Sequence, residues 1–215
     1  TLPIRPATAP SAAEEAATAT GANVAGASGA TPLRIYVDMR GRRVWAQVWR
    51  VQVGRISLYL LDSGVPENDL TAQRITSELY GGGSEERLAQ ELLLGIGGMR
   101  LLKALGIRPH TIHLNEGHAV FSSLERVRDL METEHLSFAE ARQVTGAGTL
   151  FTTHTPVPAG FDLFPGALIE SYLGDYLSGL GLTTADFMRM GRVNRDDADE
   201  EFNVAILALR QSPRR

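Results

Sequence analysis

The chain has 215 residues, 43% apolar and 21% charged, with a formal net charge of −4, a balance that fits a folded globular protein and lends no support to a nucleic-acid binder. It holds no cysteine, which excludes disulfide scaffolds, thiol catalysis and cysteine-held metal centres. No apolar run reaches the roughly 18 residues needed to span a bilayer, and Thr1 to Pro10 shows no signal-peptide pattern, so the expectation is a cytoplasmic protein with no membrane partner.

Residues 1–32 are dominated by Ala, Thr, Gly, Ser and Pro and carry no aromatic side chain. Such a segment offers little apolar surface to offset the entropy of ordering, so it reads as a disordered stretch or linker. The alternative is a marginal alanine-rich helix at Ala12–Thr20. The pattern changes at Leu33. Arg34–Asp38, Arg43–Val53 and Ile56–Leu61 read as three strands of a β-meander, broken by Met39–Arg42 and by Gly54-Arg55.

Residues 85–105 carry Leu88, Leu92, Ile96 and Met99 at helical spacing, with Lys103 in the last turn, Gly106 after it and Pro109 beyond, so a long helix is predicted. Lys103 is the only lysine of the chain. Gly95, Gly97 and Gly98 inside that helix each cost up to about 1 kcal/mol against Ala. Together they point to a close backbone approach, against a sheet or a ligand. Thr111–Leu114 reads as a short strand, Ala119–Met131 as a helix, and Ser137–Glu140 has the spacing of a capping box. Thr149–Thr153 reads as the next strand and residues 167–190 as mixed short helices. The acidic run Asp196–Glu201 reads as the solvated start of a helix, and Phe202–Leu209 as an apolar helix.

Two strands joined through helices suggest a β-α-β unit, in which ligands bind beyond the carboxyl ends of the strands. Both ends carry polar clusters with a histidine: Asn115-Glu116-Gly117-His118 and His154-Thr155-Pro156. His118 and His154 are therefore expected on one rim, although capping and turn roles would also account for these residues. Three other readings are open. His110, His113 and His118 with Glu116 offer metal ligands, but no His-Glu-x-x-His run is present and no metal is assigned. Glu116 suits carboxylate hydrolysis but has no identifiable partner. Tyr80–Ser84 before a helix resembles a phosphate cradle without the terminal Gly-Lys-Ser/Thr.

Five blocks taken together resemble one family. Leu79-Tyr80-Gly81-Gly82 with Arg87-Leu88-Ala89-Gln90-Glu91, then Leu94–Gly98, His113–His118, Phe151–Gly160 and Phe202–Arg210 are similar, in order and spacing, to the α-glucan (glycogen/maltodextrin) phosphorylases. The resemblance covers residues 33–210 and leaves 211–215 as a non-family tail. It implies an α/β fold: part of the Rossmann-like N-terminal lobe of a two-lobed GT-B glycosyltransferase. It also implies reversible transfer of a glucosyl unit between an α-1,4-glucan and inorganic phosphate, with pyridoxal phosphate as cofactor and homo-oligomers among full-length relatives. His118 matches a family residue that contacts the glucosyl unit near its 6-hydroxyl. Asn115 and Glu116 stand in the same loop, and His154 and Thr155 complete the expected sugar-binding set. The family's cofactor lysine motif and glycine-rich cofactor loop have no match here, and Gly83 stands where relatives have Asp. The expectation is an internal phosphorylase fragment, inactive alone, with a non-catalytic carbohydrate-binding or scaffold remnant as the alternative.

Overall fold

The computed structural model describes residues 4–6, 22–23, 32–79, 82–157 and 161–213. Its first layer is an antiparallel sheet of β1 (Ile4–Pro6), β2 (Ala22–Asn23), β3 (Arg34–Met39), β4 (Arg42–Val53) and β5 (Ile56–Asp62). The β3–β4 hairpin closes through Arg40 and Gly41, both at positive φ (53° and 70°), as a two-residue turn matched to strand twist requires. β4 runs on to pair with β5 from Gln47↔Asp62 to Val53↔Ile56. Alternation sends Ile35, Val37, Val44, Ala46 and Val48 to the buried face. Two short strands thus fall inside the segment expected to be disordered, pairing with β4 and β3. The Ala12–Thr20 helix and Tyr80-Gly81 lie outside the described residues.

After a short helix α1 (Leu70–Arg74), the predicted long helix forms in three parts: α2 (Ser84–Leu92), a π-helical turn (Leu93–Gly97) and α3 (Gly98–Ala104). The glycines of this segment act differently. A Cβ on Gly95 would sit 2.7 Å from Ser122 N and 2.8 Å from Phe121 Cβ, and one on Gly97 would sit 3.1 Å from Ile35 Cδ1. The helix is therefore pressed between the sheet and α4 (Phe121–Glu134), while Gly98 faces open space. Gly95→Ala should cost about 1–3 kcal/mol, because the opposing atoms include backbone that cannot yield. Gly98→Ala should add up to about 1 kcal/mol through helix propensity. Urea denaturation midpoints test both, and midpoints moving in the same direction would contradict this packing.

The second layer holds the parallel pair β6 (Ile112–Asn115) and β7 (Thr149–Thr152), in register from Ile112↔Thr149 to Asn115↔Thr152. They are joined through α4 and α5 (Phe138–Ala147), the latter opened by the Ser137/Glu140 capping box. A two-stranded ribbon, β8 (Leu163–Phe164) with β9 (Phe202–Asn203), frames α6 (Gly166–Gly179) and α7 (Thr184–Gly191). The last helix, α8 (Val204–Gln211), is capped by Asn203, whose Oδ1 accepts from Ala205 N at 2.8 Å. The acidic run does not start a helix. Glu200 takes the N–H groups of Val193 and Asn194, which folds the run into a loop, and the helix begins only at Val204. No described helix is long and apolar enough to cross a membrane.

Candidate active-site rim and its carboxylate cluster

The pairing of β6 with β7 delivers Asn115 and Glu116 beside Thr152–Thr155, all at the carboxyl ends of parallel strands. Glu116 N continues the ladder to Thr152 O at 2.8 Å. The chain then turns sharply, with Glu116 at φ 64°, ψ 177°. That region is essentially reserved for glycine and costs on the order of 1–3 kcal/mol for another residue, which persists only where the surroundings impose it. Here they do. The Glu116 carboxylate accepts from His154 N (2.5 Å), Thr153 Oγ1 (3.0 Å) and Thr155 Oγ1 (3.3 Å). The His154 N–H, chiefly, holds the Glu116 carboxyl below the usual range, so it is ionised at neutral pH. The exposed His154 ring sets its Nε2 3.2 Å from Asn115 Oδ1, which accepts. Four of the five expected residues, Asn115, Glu116, His154 and Thr155, therefore form one bonded rim.

His118 stands apart from them. It lies on the 3-10 turn Gly117–Ala119, with Nδ1 3.1 Å from Glu91 Oε1 and 3.2 Å from Asp162 Oδ2. Both histidines follow strand carboxyl ends, as expected, but each has its own partners. Asp162 also takes a bidentate fork from Arg87, at 2.5 and 2.7 Å. Glu91 is 4% exposed, and burial pushes its carboxyl up to about 8, partly offset by His118. The hydrogen bond to Asp162, with that to Glu91, raises His118 to about 9. Burial works to raise Asp162, but His118 and Arg87 outweigh it and keep it ionised. These groups, with Gln90, Leu93 and Leu94, line a groove of about 390 Å³.

Glu91, His118 and Asp162 could offer three metal-ligand atoms within 4.8 Å of one another. Arg87 and His118 already supply two cations here while Glu91 keeps its proton and Asp162 carries the negative charge, so the geometry favours proton sharing over metal binding. Sequence reasoning missed Glu91, Arg87 and Asp162 as site residues. The signal for Glu91 was present: it lies three residues after Leu88, on the stripe that helical periodicity buries, where a carboxylate needs a partner. Lys103 is neither on the rim nor in this cluster; it pairs with Asp129 on α4.

The chain thus places a strained acidic residue, clamped by the neighbouring loop, at the carboxyl end of a parallel strand, the position where open α/β sheets bind ligands. No family model matches the sequence. Over 181 residues, 84% of the chain, it is 46% identical to the maltodextrin phosphorylase of Thermococcus litoralis. It is 39% identical over 206 residues, 85% of the chain, to the glycogen phosphorylase of Mycobacterium tuberculosis. It is 34% identical over 178 residues, 83% of the chain, to that of Aquifex aeolicus. The chain is thus similar along most of its length to maltodextrin and glycogen phosphorylases, and it spans between a fifth and a quarter of each relative's length: 21%, 24% and 25%.

Proposed function

We propose that this segment supplies the sugar-binding rim of an α-1,4-glucan phosphorylase, within the N-terminal lobe of a GT-B enzyme. Such an enzyme releases glucose 1-phosphate from glycogen or maltodextrin with inorganic phosphate. The observation that carries the reading is Glu116, held in a glycine-only conformation by three donors of the facing loop, in a chain homologous to phosphorylases. A neutral sugar is recognised by fixed amides, hydroxyls, carboxylates and imidazoles, and Asn115, Glu116, His154 and Thr155 present that set. We assign the orienting contact with a sugar hydroxyl to His154, whose ring is exposed at the rim. His118 has carboxylates on Nδ1 and acts from beside the rim as a cation.

Pyridoxal phosphate, the family's cofactor, supplies a phosphate group for proton transfer when bound. The residues present do not fit its attachment. Lys103, the one side-chain amine, is paired with Asp129 on α4. This segment alone is expected to be inactive.

The test is titration of the isotope-labelled chain with maltoheptaose, followed by backbone NMR. Shifts should concentrate at Asn115, Glu116, His154 and Thr155. His154→Ala should weaken binding roughly three- to tenfold, since one hydrogen bond is worth about 1 kcal/mol net. Shifts confined to another surface, or an unchanged affinity for His154→Ala, would remove the rim from consideration.

A further inference from the structure

A second concavity, of about 270 Å³, lies away from the rim. Arg142, Arg189, Arg195 and Arg210 line it with Asp186, Asp196 and Met190. α8 connects the two places. Its first residue, Val204, packs on Gly117 beside the rim, while Arg210 stands six residues on, roughly 9 Å along the axis.

The acids near this concavity are already engaged. Asp196 pairs with Arg189 at 3.0 Å. Asp186 closes the capping box with Thr183 at the start of α7 and keeps its charge, so the lining sets four cations against two carboxylates. Glu200, which acts on Arg210 from the neighbouring loop, accepts from Val193 N at 2.6 Å and Asn194 N at 2.8 Å. The other three guanidiniums make no ion pair within 4.0 Å among the described residues. Arg210 donates to the carbonyls of Arg189 (2.7 Å) and Met190 (3.1 Å), at the end of α7. Arg142 Nε donates to Gln211 Oε1 at 3.2 Å, an amide that is itself buried. Those neutral acceptors fix two forks in place without cancelling their charge. Arg195 is exposed and adds a third cation. Burial and then the field of Arg195 hold the pKa of both Arg142 and Arg210 below the ordinary value; in Arg142, Arg210 adds to the effect.

We propose that this concavity is an anion site for a phosphoryl group, held between Arg142, Arg195 and Arg210. Convergent guanidiniums that repel one another are stabilised by a dianion that bridges them. Their planar forks match tetrahedral oxyanions, and the volume suits a phosphate or a small phosphate ester. The inference does not depend on the glucan reading of the rim.

The full 215-residue chain is titrated calorimetrically with inorganic phosphate in one arm and a hexose phosphate in the other, at low and high salt. Saturable binding that weakens with salt is expected in at least one arm, and the tighter arm identifies the source of the phosphoryl group. Arg195→Gln, on an exposed side chain, should weaken it at least tenfold, about 1.4 kcal/mol. Arg142→Gln with Arg195→Gln should abolish it while leaving the circular dichroism spectrum intact. Arg55→Gln, an exposed cation on the turn between β4 and β5, should leave it within twofold. No saturable binding in either arm, or equal binding by Arg195→Gln, would overturn the proposal.

Discussion

Glu125→Ala should destabilise the fold by about 3–5 kcal/mol, because it removes the buried carboxylate that faces buried Arg100 and leaves that arginine the exposed Asp38 carboxylate, 3.7 Å away. Glu125 is 3% exposed and Arg100 is 7% exposed. The Glu125 carboxylate accepts from Arg100 Nε at 3.1 Å, Arg128 Nη2 at 2.6 Å and the Tyr176 hydroxyl at 2.8 Å. Arg100 reaches on to Tyr36 O at 2.8 Å. One carboxylate thus ties α3, α4 and α6 together and reaches the first sheet through Arg100. Burial works to raise the Glu125 carboxyl, but Arg128 and Arg100 outweigh it and hold it low. The stability it contributes is therefore present above the ordinary carboxylate range and lost as pH falls through the depressed value. Glu125→Gln keeps an acceptor but not the charge and should fall between Ala and wild type. Urea denaturation at pH 7 checks the order, and a loss below about 1 kcal/mol for Glu125→Ala would show that Arg100 finds water instead.

What the sequence made legible follows the strength of local signals. The apolar stripe from Leu88 to Leu105 gave the long helix, Ser137 with Glu140 gave a cap, and β-branched runs gave the strands around Tyr36, Trp45 and Tyr59. The parallel pairing of β6 with β7 followed from connection rules. The π-helical turn at Leu93–Gly97 was not legible, because spacing shows that glycines permit close approach but not how a helix widens to use it. The acidic run was misread because its charges suggested a helix start, whereas Glu200 spends its oxygens on loop amides and Asn203 makes the cap.

The candidate site was legible as a set of residues but not in its partition. Asn115, Glu116, His154 and Thr155 meet because their strands are parallel and adjacent. His118 turns to Glu91, 27 residues earlier, and to Asp162, 44 residues later, and no local pattern links such distances. Nor does any propensity foresee the backbone of Glu116. A glutamate is placed at φ 64° by donors from another strand's loop, so the information lies in tertiary structure. This also separates two substitutions. Glu116→Gly relieves the strained backbone while removing the carboxylate, whereas Glu116→Ala removes the carboxylate and keeps the strain. Glu116→Gly should be the more stable by about 1–2 kcal/mol in chemical denaturation, and both should lose maltoheptaose binding.

Between pH 5 and pH 9 the wild-type chain should lose about 2–3 kcal/mol of stability that Glu91→Gln does not lose. The folded state keeps the Glu91 proton up to about pH 8, because burial beside Asp162 disfavours the anion, while the unfolded chain releases it near 4.5. Over that window the folded state binds more protons, so unfolding is increasingly favoured as pH rises. His118 acts in the same direction. Its contribution is present below its unfolded value near 6.5 and is lost as pH passes about 9, although solvent at its half-exposed ring weakens the effect. Asp162 opposes both only in acid: its contribution is present above about 3.8 and lost below it. Each tenfold in proton affinity corresponds to about 1.4 kcal/mol, and the His118 cation beside Glu91 offsets part of the effect of burial. Glu91→Gln keeps the shape of the protonated acid and removes its titration, so its stability should be flatter across the range. His118→Gln should also flatten the alkaline limb, but at lower stability throughout, because Asp162 then has Arg87 as its remaining cationic partner. Parallel stability profiles for wild type and Glu91→Gln would show that Glu91 is ionised in the folded chain, with both carboxylates carried by His118 and Arg87.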